Sequence, residues 1–80
     1  MNPSRMNEKH EIICAAAIAQ FSERGYTATS MANIALAAGM SRPALYQYFA
    51  NKSDIFVSAF IAIFEEQVTN ALRALDQSQS

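Results

Sequence analysis

An all-α domain follows from three properties of this sequence. Apolar residues recur at helical spacing along nearly all of it. Glycine and proline occur only twice each, and both glycines stand just past the end of a periodic segment. Half of the 80 residues are apolar (51%), too many for a disordered chain and enough for one domain. A domain of this size buries only about 60% of its unfolded surface, so its stability is marginal.

Residues 1–6 read as a disordered arm. Asn7 suits an N-cap, with Glu8 in the first turn where the helix dipole favours an acid. The first helix is expected to run to about Arg24. Ile13, Ala16, Ala17, Gln20 and Phe21 form its inward face, with Ile18 beside them. Gly25 then takes the left-handed place after the helix end. After a short connection at 26–29, Ser30 caps a second helix over 31–38 whose Met31, Ile34 and Ala35 face the core. Gly39 stops that helix by adopting the positive φ that other residues resist. Ser41 caps a third helix over about 42–49. Pro43 falls in its first turn, where a missing N–H costs nothing. At about 100° per residue, Leu45, Tyr48 and Phe49 gather on one side. Pro43, Ala44, Tyr46 and Gln47 gather on the other.

Asn51 caps a fourth helix over 51–75, with Asp54 at the third helical position of an approximate capping box. Its Ile55, Phe56, Ala59, Phe60 and Ile63 form one apolar stripe, and Val57, Ile61, Phe64 and Val68 a second. Three short helices can bury one stripe but not both, so an interface is expected on this helix. Residues 76–80 read as an unstructured tail. The apolar run 55–64 is too short to span a bilayer, and the polar N-terminus is no secretory signal. Cys14 has no partner for an internal disulfide, which fits a reducing compartment. A cytoplasmic protein with no membrane partner is the expectation. Cys14 reads as a small buried hydrophobe, His10 as a surface residue, and Met31 and Met40 as core.

The net charge of −1 weighs against nucleic acid, but its distribution partly answers this. The acids are Glu8, Glu11, Glu23, Asp54, Glu65, Glu66 and Asp76; none lies between Glu23 and Asp54, where Arg24, Arg42 and Lys52 do. An acid-free stretch of this kind is a modest electrostatic footprint, and it also arises by chance in a chain with few acids. It coincides with residues 30–49, two short helices joined by the tight turn Ala38-Gly39-Met40-Ser41. The second of these is too short for a core element, yet it turns Arg42, Pro43, Ala44, Tyr46 and Gln47 outward. That is the arrangement of a helix-turn-helix, whose second helix enters the major groove.

The residues that carry a resemblance are Ile13, Ala16, Ala17, Phe21, Gly25-Tyr26, Thr29-Ser30, Ile34-Ala35, Ala38-Gly39, Ser41, Leu45-Tyr46, Phe49 and Lys52. In this register, over about residues 12–60 and without a gap, the sequence resembles the N-terminal DNA-binding domain of the TetR (tetracycline repressor) family. The resemblance implies a homeodomain-like three-helix domain at 7–50, with the helix-turn-helix at 30–49 and a long fourth helix after it. It implies a ligand-responsive transcriptional regulator, usually a repressor, bound to double-stranded DNA as a homodimer on a near-palindromic operator. It also implies a larger helical C-terminal domain that binds a small-molecule inducer and dimerises. That domain is absent from these residues, so a fragment is expected, with no inducer site and no cofactor of its own.

Residue by residue, the resemblance places Thr29 or Ser30 at a phosphate near the start of the second helix. It places Tyr46 and Lys52 on phosphates flanking the groove, and Arg42, Ala44 and Gln47 near base edges. Pro43 stands where Gly is usual, Gln47 where Tyr or Trp is frequent, and Tyr48 where His is frequent. Base preference therefore does not transfer from relatives. Chemically, Arg42 can reach guanine or a phosphate, Gln47 can pair with adenine, and the Ala44 methyl can touch thymine. A lysine at a helix N-terminus adds to a site that already attracts anions. Tyr48 points partly inward, and both a core position and a phosphate contact are open to it. Arg5 in the arm is open to a minor-groove contact or to none.

Two other function classes compete. A truncated interaction module pairing through the fourth helix is favoured by the apolar surplus and the negative net charge. An enzyme is disfavoured: there is one histidine, no pocket-forming pair of carboxylates, no Gly-rich phosphate loop and no Cys/His spacing for zinc.

Overall fold

The computed structural model describes residues 3–78. Its helices are α1 (Pro3–Arg24), α2 (Met31–Ala38), α3 (Arg42–Tyr46) and α4 (Lys52–Ser78), and the described residues contain no strand. The fold is all-α, a helix-turn-helix domain followed by a long helix.

The ends of these elements depart from the periodic reading where the sequence lacks a stop signal. The backbone of residues 3–6, expected as an arm, is the first turn of α1. Proline suits a helix start, and nothing from Ser4 to His10 breaks the helix. Residues 1–2 and 79–80, the rest of the expected arm and tail, lie outside the described residues. α4 continues through 76–78 because neither glycine nor proline follows Leu75. α3 is shorter than the expected 42–49. Its last turn tightens to i+3 bonds, with the Gln47 N–H donating to Ala44 O (3.1 Å) and the Tyr48 N–H to Leu45 O (2.9 Å).

Each helix sends one branched aliphatic side chain wholly inside: Ile13, Ile34, Leu45 and Ile55 are each 0% exposed. Ala17, Met31, Ala35, Phe49 and Ala59 fill the space around them, and Ile18, Phe21, Ala38, Met40 and Tyr48 pack on the outside of this cluster. Cys14 is buried among them. Burial pushes its thiol up from the ordinary range, with a hydrogen bond to Ser58 pulling the other way. His10 is only half-exposed, a correction to its reading as a surface residue. Its ring lies 4.9 Å from that of Phe49 and 5.8 Å from that of Tyr48, tying α1 to the end of the helix-turn-helix.

α4 leaves the core after Ala59. Of the first stripe, Ile55 and Ala59 are inside, but Phe56, Phe60 and Ile63 remain exposed. The apolar surplus is therefore larger than the sequence indicated: both stripes face outward beyond the first two turns. The continuous helix also exceeds the ten-residue run read from the sequence. An 18-residue window within Lys52–Gln77 has a mean hydropathy of 1.3, so by length and composition the helix could cross a membrane. Glu65 and Glu66 stand at its middle, however. An acidic residue such as Asp at the centre of a spanning helix costs about 2.5–3.5 kcal/mol.

Because Ile34 is fully buried in the core, Ile34→Ala is expected to destabilise the fold by about 2–5 kcal/mol. Chemical denaturation followed by circular dichroism measures this. In a domain of this size the loss is comparable with the whole stability.

Candidate nucleic-acid interface

Two short helices make the site, and their ends are held by side chains the sequence places there. Ser30 has extended backbone, and its Oγ accepts from the Asn33 N–H (3.1 Å) while the Ser30 N–H donates to Asn33 Oδ1 (2.9 Å). This reciprocal capping box satisfies two backbone groups at the start of α2. At the other end Gly39 sits at φ 73°, ψ 33°. Its N–H donates to Leu36 O, and the Met40 N–H donates to Ala35 O. These are the two bonds of a Schellman turn, and the left-handed residue they require is a glycine. One residue later Ser41 Oγ accepts from the Ala44 N–H (3.2 Å) and starts α3. α2 and α3 are thus joined by three residues, each conformationally fixed.

α3 presents a divided surface. Leu45 is fully buried, and Phe49 just beyond the helix end is nearly so, which fixes the helix's rotation about its axis. Arg42, Pro43, Tyr46 and Gln47 are exposed on the opposite side, and Ala44 is half-buried between the two faces. Gln47 stands at the helix C-cap in right-handed geometry. Tyr48 is half-buried beside His10 and packs on the core, so of its two open readings the packed one describes its position.

The remaining two expected positions sit differently. Thr29, named with Ser30 as a candidate for a phosphate, is 2% exposed. Its hydroxyl faces Gly25 O (2.8 Å) and Gln20 O (3.1 Å), so it ties down the α1–α2 turn and leaves Ser30 as the accessible residue at this corner. Lys52 is half-buried, and its Nζ donates to the carbonyls of Tyr26 (2.7 Å), Thr27 (3.1 Å) and Thr29 (2.9 Å). An ammonium has three hydrogens, and all three are engaged. The same Nζ lies 4.4 Å from the centroid of the Tyr26 ring. Tyr26 in turn packs with Phe21 (5.1 Å) and Phe56 (5.5 Å) in an aromatic trio. The expected phosphate contact of Lys52 would require giving up one of these bonds. Tyr26 and Phe56 were missed as parts of the site; the Gly25-Tyr26 pair and its fixed register with Lys52 were the available signal.

Arg24 is also committed, its Nε donating to Gln20 Oε1 (2.7 Å). Of the three cations in the acid-free stretch, Arg42 is the one that projects from the recognition face. The described residues contain no group of His, Cys, Asp and Glu that could hold a metal ion.

A family model described as "Bacterial regulatory proteins, tetR family" matches residues 13–59 of this chain. The chain is 33% identical over 72 residues to the HTH-type transcriptional activator FasR of Mycolicibacterium smegmatis, which covers 90% of this chain and 31% of that protein. It is 43% identical over 49 residues to the HTH-type transcriptional regulator AcrR of Shigella flexneri, covering 61% of this chain and 23% of that one. Among solved structures, the fatty acid degradation regulator FadR from Bacillus halodurans superposes with a TM-score of 0.76 at 34% identity. That match covers 78% of this chain and 33% of the other. The chain spans a third or less of the length of these relatives.

Ser41 supplies the side-chain cap of a five-residue helix. Ser41→Ala is expected to cost about 0.5–2 kcal/mol. Amide exchange should show the loss concentrated at residues 44–47, ahead of global unfolding.

Proposed function

The chain belongs to the TetR family of bacterial regulatory proteins, and we propose that its helix-turn-helix reads a near-palindromic operator as one half of a homodimer, with α3 in the major groove. The observation that carries this reading is the divided surface of α3. Leu45 and Phe49 anchor one side in the core, and Arg42, Pro43, Tyr46 and Gln47 stand exposed on the other. A helix this short gains little for the core by exposing that set, and a groove is what the set fits.

In this reading Arg42 meets a guanine edge or a phosphate, Gln47 pairs with an adenine edge, and the Ala44 methyl meets a thymine methyl. Pro43 lies against the sugar-phosphate wall, Tyr46 donates its hydroxyl to a phosphate, and Ser30 meets a phosphate at the start of α2. Tyr48 supports the helix from behind. Two copies place their recognition helices about 34–36 Å apart, in successive major grooves on one face of the duplex. Repression by occupying the operator is the output that needs no surface beyond this interface, and the cytoplasm is where it acts. An inducer would act through residues beyond these, as the greater length of the relatives allows.

A second reading has one observation in its favour. Phe60, Ile61, Phe64, Val68 and Leu72 are exposed along a single helix, the surface of a module that pairs through α4.

Binding-site selection followed by salt titration tests the first reading. One copy carries one projecting arginine on α3, so binding should be weak and should fall as salt rises. Gln47→Ala should cost about 1–3 kcal/mol at one base position and relax preference there alone. An unchanged site logo for that variant would sink the base-reading role. Sedimentation velocity separates the second reading: self-association that rises with concentration, without any selected duplex, is its expected result.

A further inference from the structure

We infer that Lys52 is a positioning residue for DNA binding, acting through the backbone it cages and not through a phosphate. The inference rests on the DNA-binding reading above.

Its ammonium donates to the carbonyl oxygens of Tyr26, Thr27 and Thr29 at 2.7, 3.1 and 2.9 Å, one for each hydrogen. The Tyr26 ring covers it at 4.4 Å. These partners lie 23 to 26 residues before Lys52 in the chain. The segment enclosed by these bonds contains α2, the turn and α3 entire. Lys52 is also the first residue of α4, and Phe56 one turn later packs against Tyr26 from the same side. One side chain therefore buckles the entrance of the helix-turn-helix to its exit. The α1–α2 turn is pinned from the other side by the Thr29 hydroxyl on Gln20 O and Gly25 O. Ser30, the accessible corner at the start of α2, directly follows the buckled turn. The capping box and the Gly39 turn hold Ser30 and α3 together as one unit, and Lys52 holds that unit against the start of α4.

The two roles make opposite demands on the cation. Three convergent carbonyls suit a compact tetrahedral ammonium, whereas a phosphate accepts a planar guanidinium at least as well. Lys52→Arg therefore keeps the charge and loses the cage, and Lys52→Met loses both.

The test is duplex affinity of the full chain and the two variants, measured on a selected operator over a range of salt. The temperature is one at which circular dichroism shows all three folded. Both variants are expected to bind about tenfold more weakly than the parent, a coupling of ordinary size. The slope of log K against log salt should stay at the parent value. If Lys52→Arg binds as the parent does, while Lys52→Met loses affinity and about 0.9 of slope, Lys52 is a phosphate contact and the inference is overturned. Unchanged affinity in both variants overturns it as well. Should the variants fail to fold, NMR on the parent decides. Through-bond couplings from the Lys52 ammonium nitrogen to the carbonyl carbons of Tyr26, Thr27 and Thr29 should persist when duplex saturates the chain. Their loss on saturation refutes the positioning role. A parent that selects no duplex sinks the DNA-binding reading and the positioning role with it. That result is recognised by couplings still present in the free chain.

Discussion

A helix of five residues does not stand by itself in water. Nucleation fixes several residues for the first hydrogen bond, and α3 ends before propagation could offset that cost. The burial of Leu45, with Phe49 behind it, is the interaction on which the rest depends. It supplies the stability that α3 lacks locally and sets the rotation of the helix about its axis. Once that rotation is set, Arg42, Pro43, Tyr46 and Gln47 face outward together. Burial of this anchor, worth about 1.5–3 kcal/mol for a large aliphatic side chain, is at least comparable with a capping bond in α2 or α3, worth about 0.5–2 kcal/mol. The small core is consequently organised around the recognition helix.

The turn between α1 and α2 serves the same end from a different direction. It is exposed, short and rich in polar backbone, the kind of segment that would otherwise move freely. Two side chains hold it, Thr29 from within and Lys52 across from α4, and Tyr26 closes over the ammonium. Backbone groups that would be left to water are thereby used to join the first helix of the motif to the helix that follows it. In the DNA-binding reading proposed above, orientation fixed in this way before binding need not be fixed at binding.

α4 divides into two functions along its length. Its first two turns belong to the core through Ile55 and Ala59, and to the buckle through Lys52 and Phe56. Beyond Ala59 it is a solvent-facing rod whose phenylalanines, isoleucines and leucines have little to pack against in an 80-residue chain. A contiguous apolar surface of that kind marks contact with another surface. The matched segment of this chain covers a third or less of each of these relatives.

What could be read in the sequence was local. Ser30, Gly39 and Ser41 act on backbone groups within four residues of themselves, so their roles as caps and turn follow from residue type and position. The inward placement of Ile34 and Leu45, and the outward placement of Arg42 and Gln47, follow from helical spacing in the same way. Helix ends were legible only where such a signal exists: α1 starts earlier than expected, at Pro3, and α4 runs on because neither glycine nor proline follows Leu75. By itself, then, the sequence determined an all-α helix-turn-helix and the direction in which its recognition residues point. Tertiary structure alone decided that Thr29 is buried, that His10 packs on Phe49, that α4 leaves the core after Ala59, and that Lys52 spends its three hydrogens on a distant turn. Each of those depends on groups brought together across the chain. A lysine's type and register describe the charge it carries, and only the packed helices determine which oxygen atoms surround it.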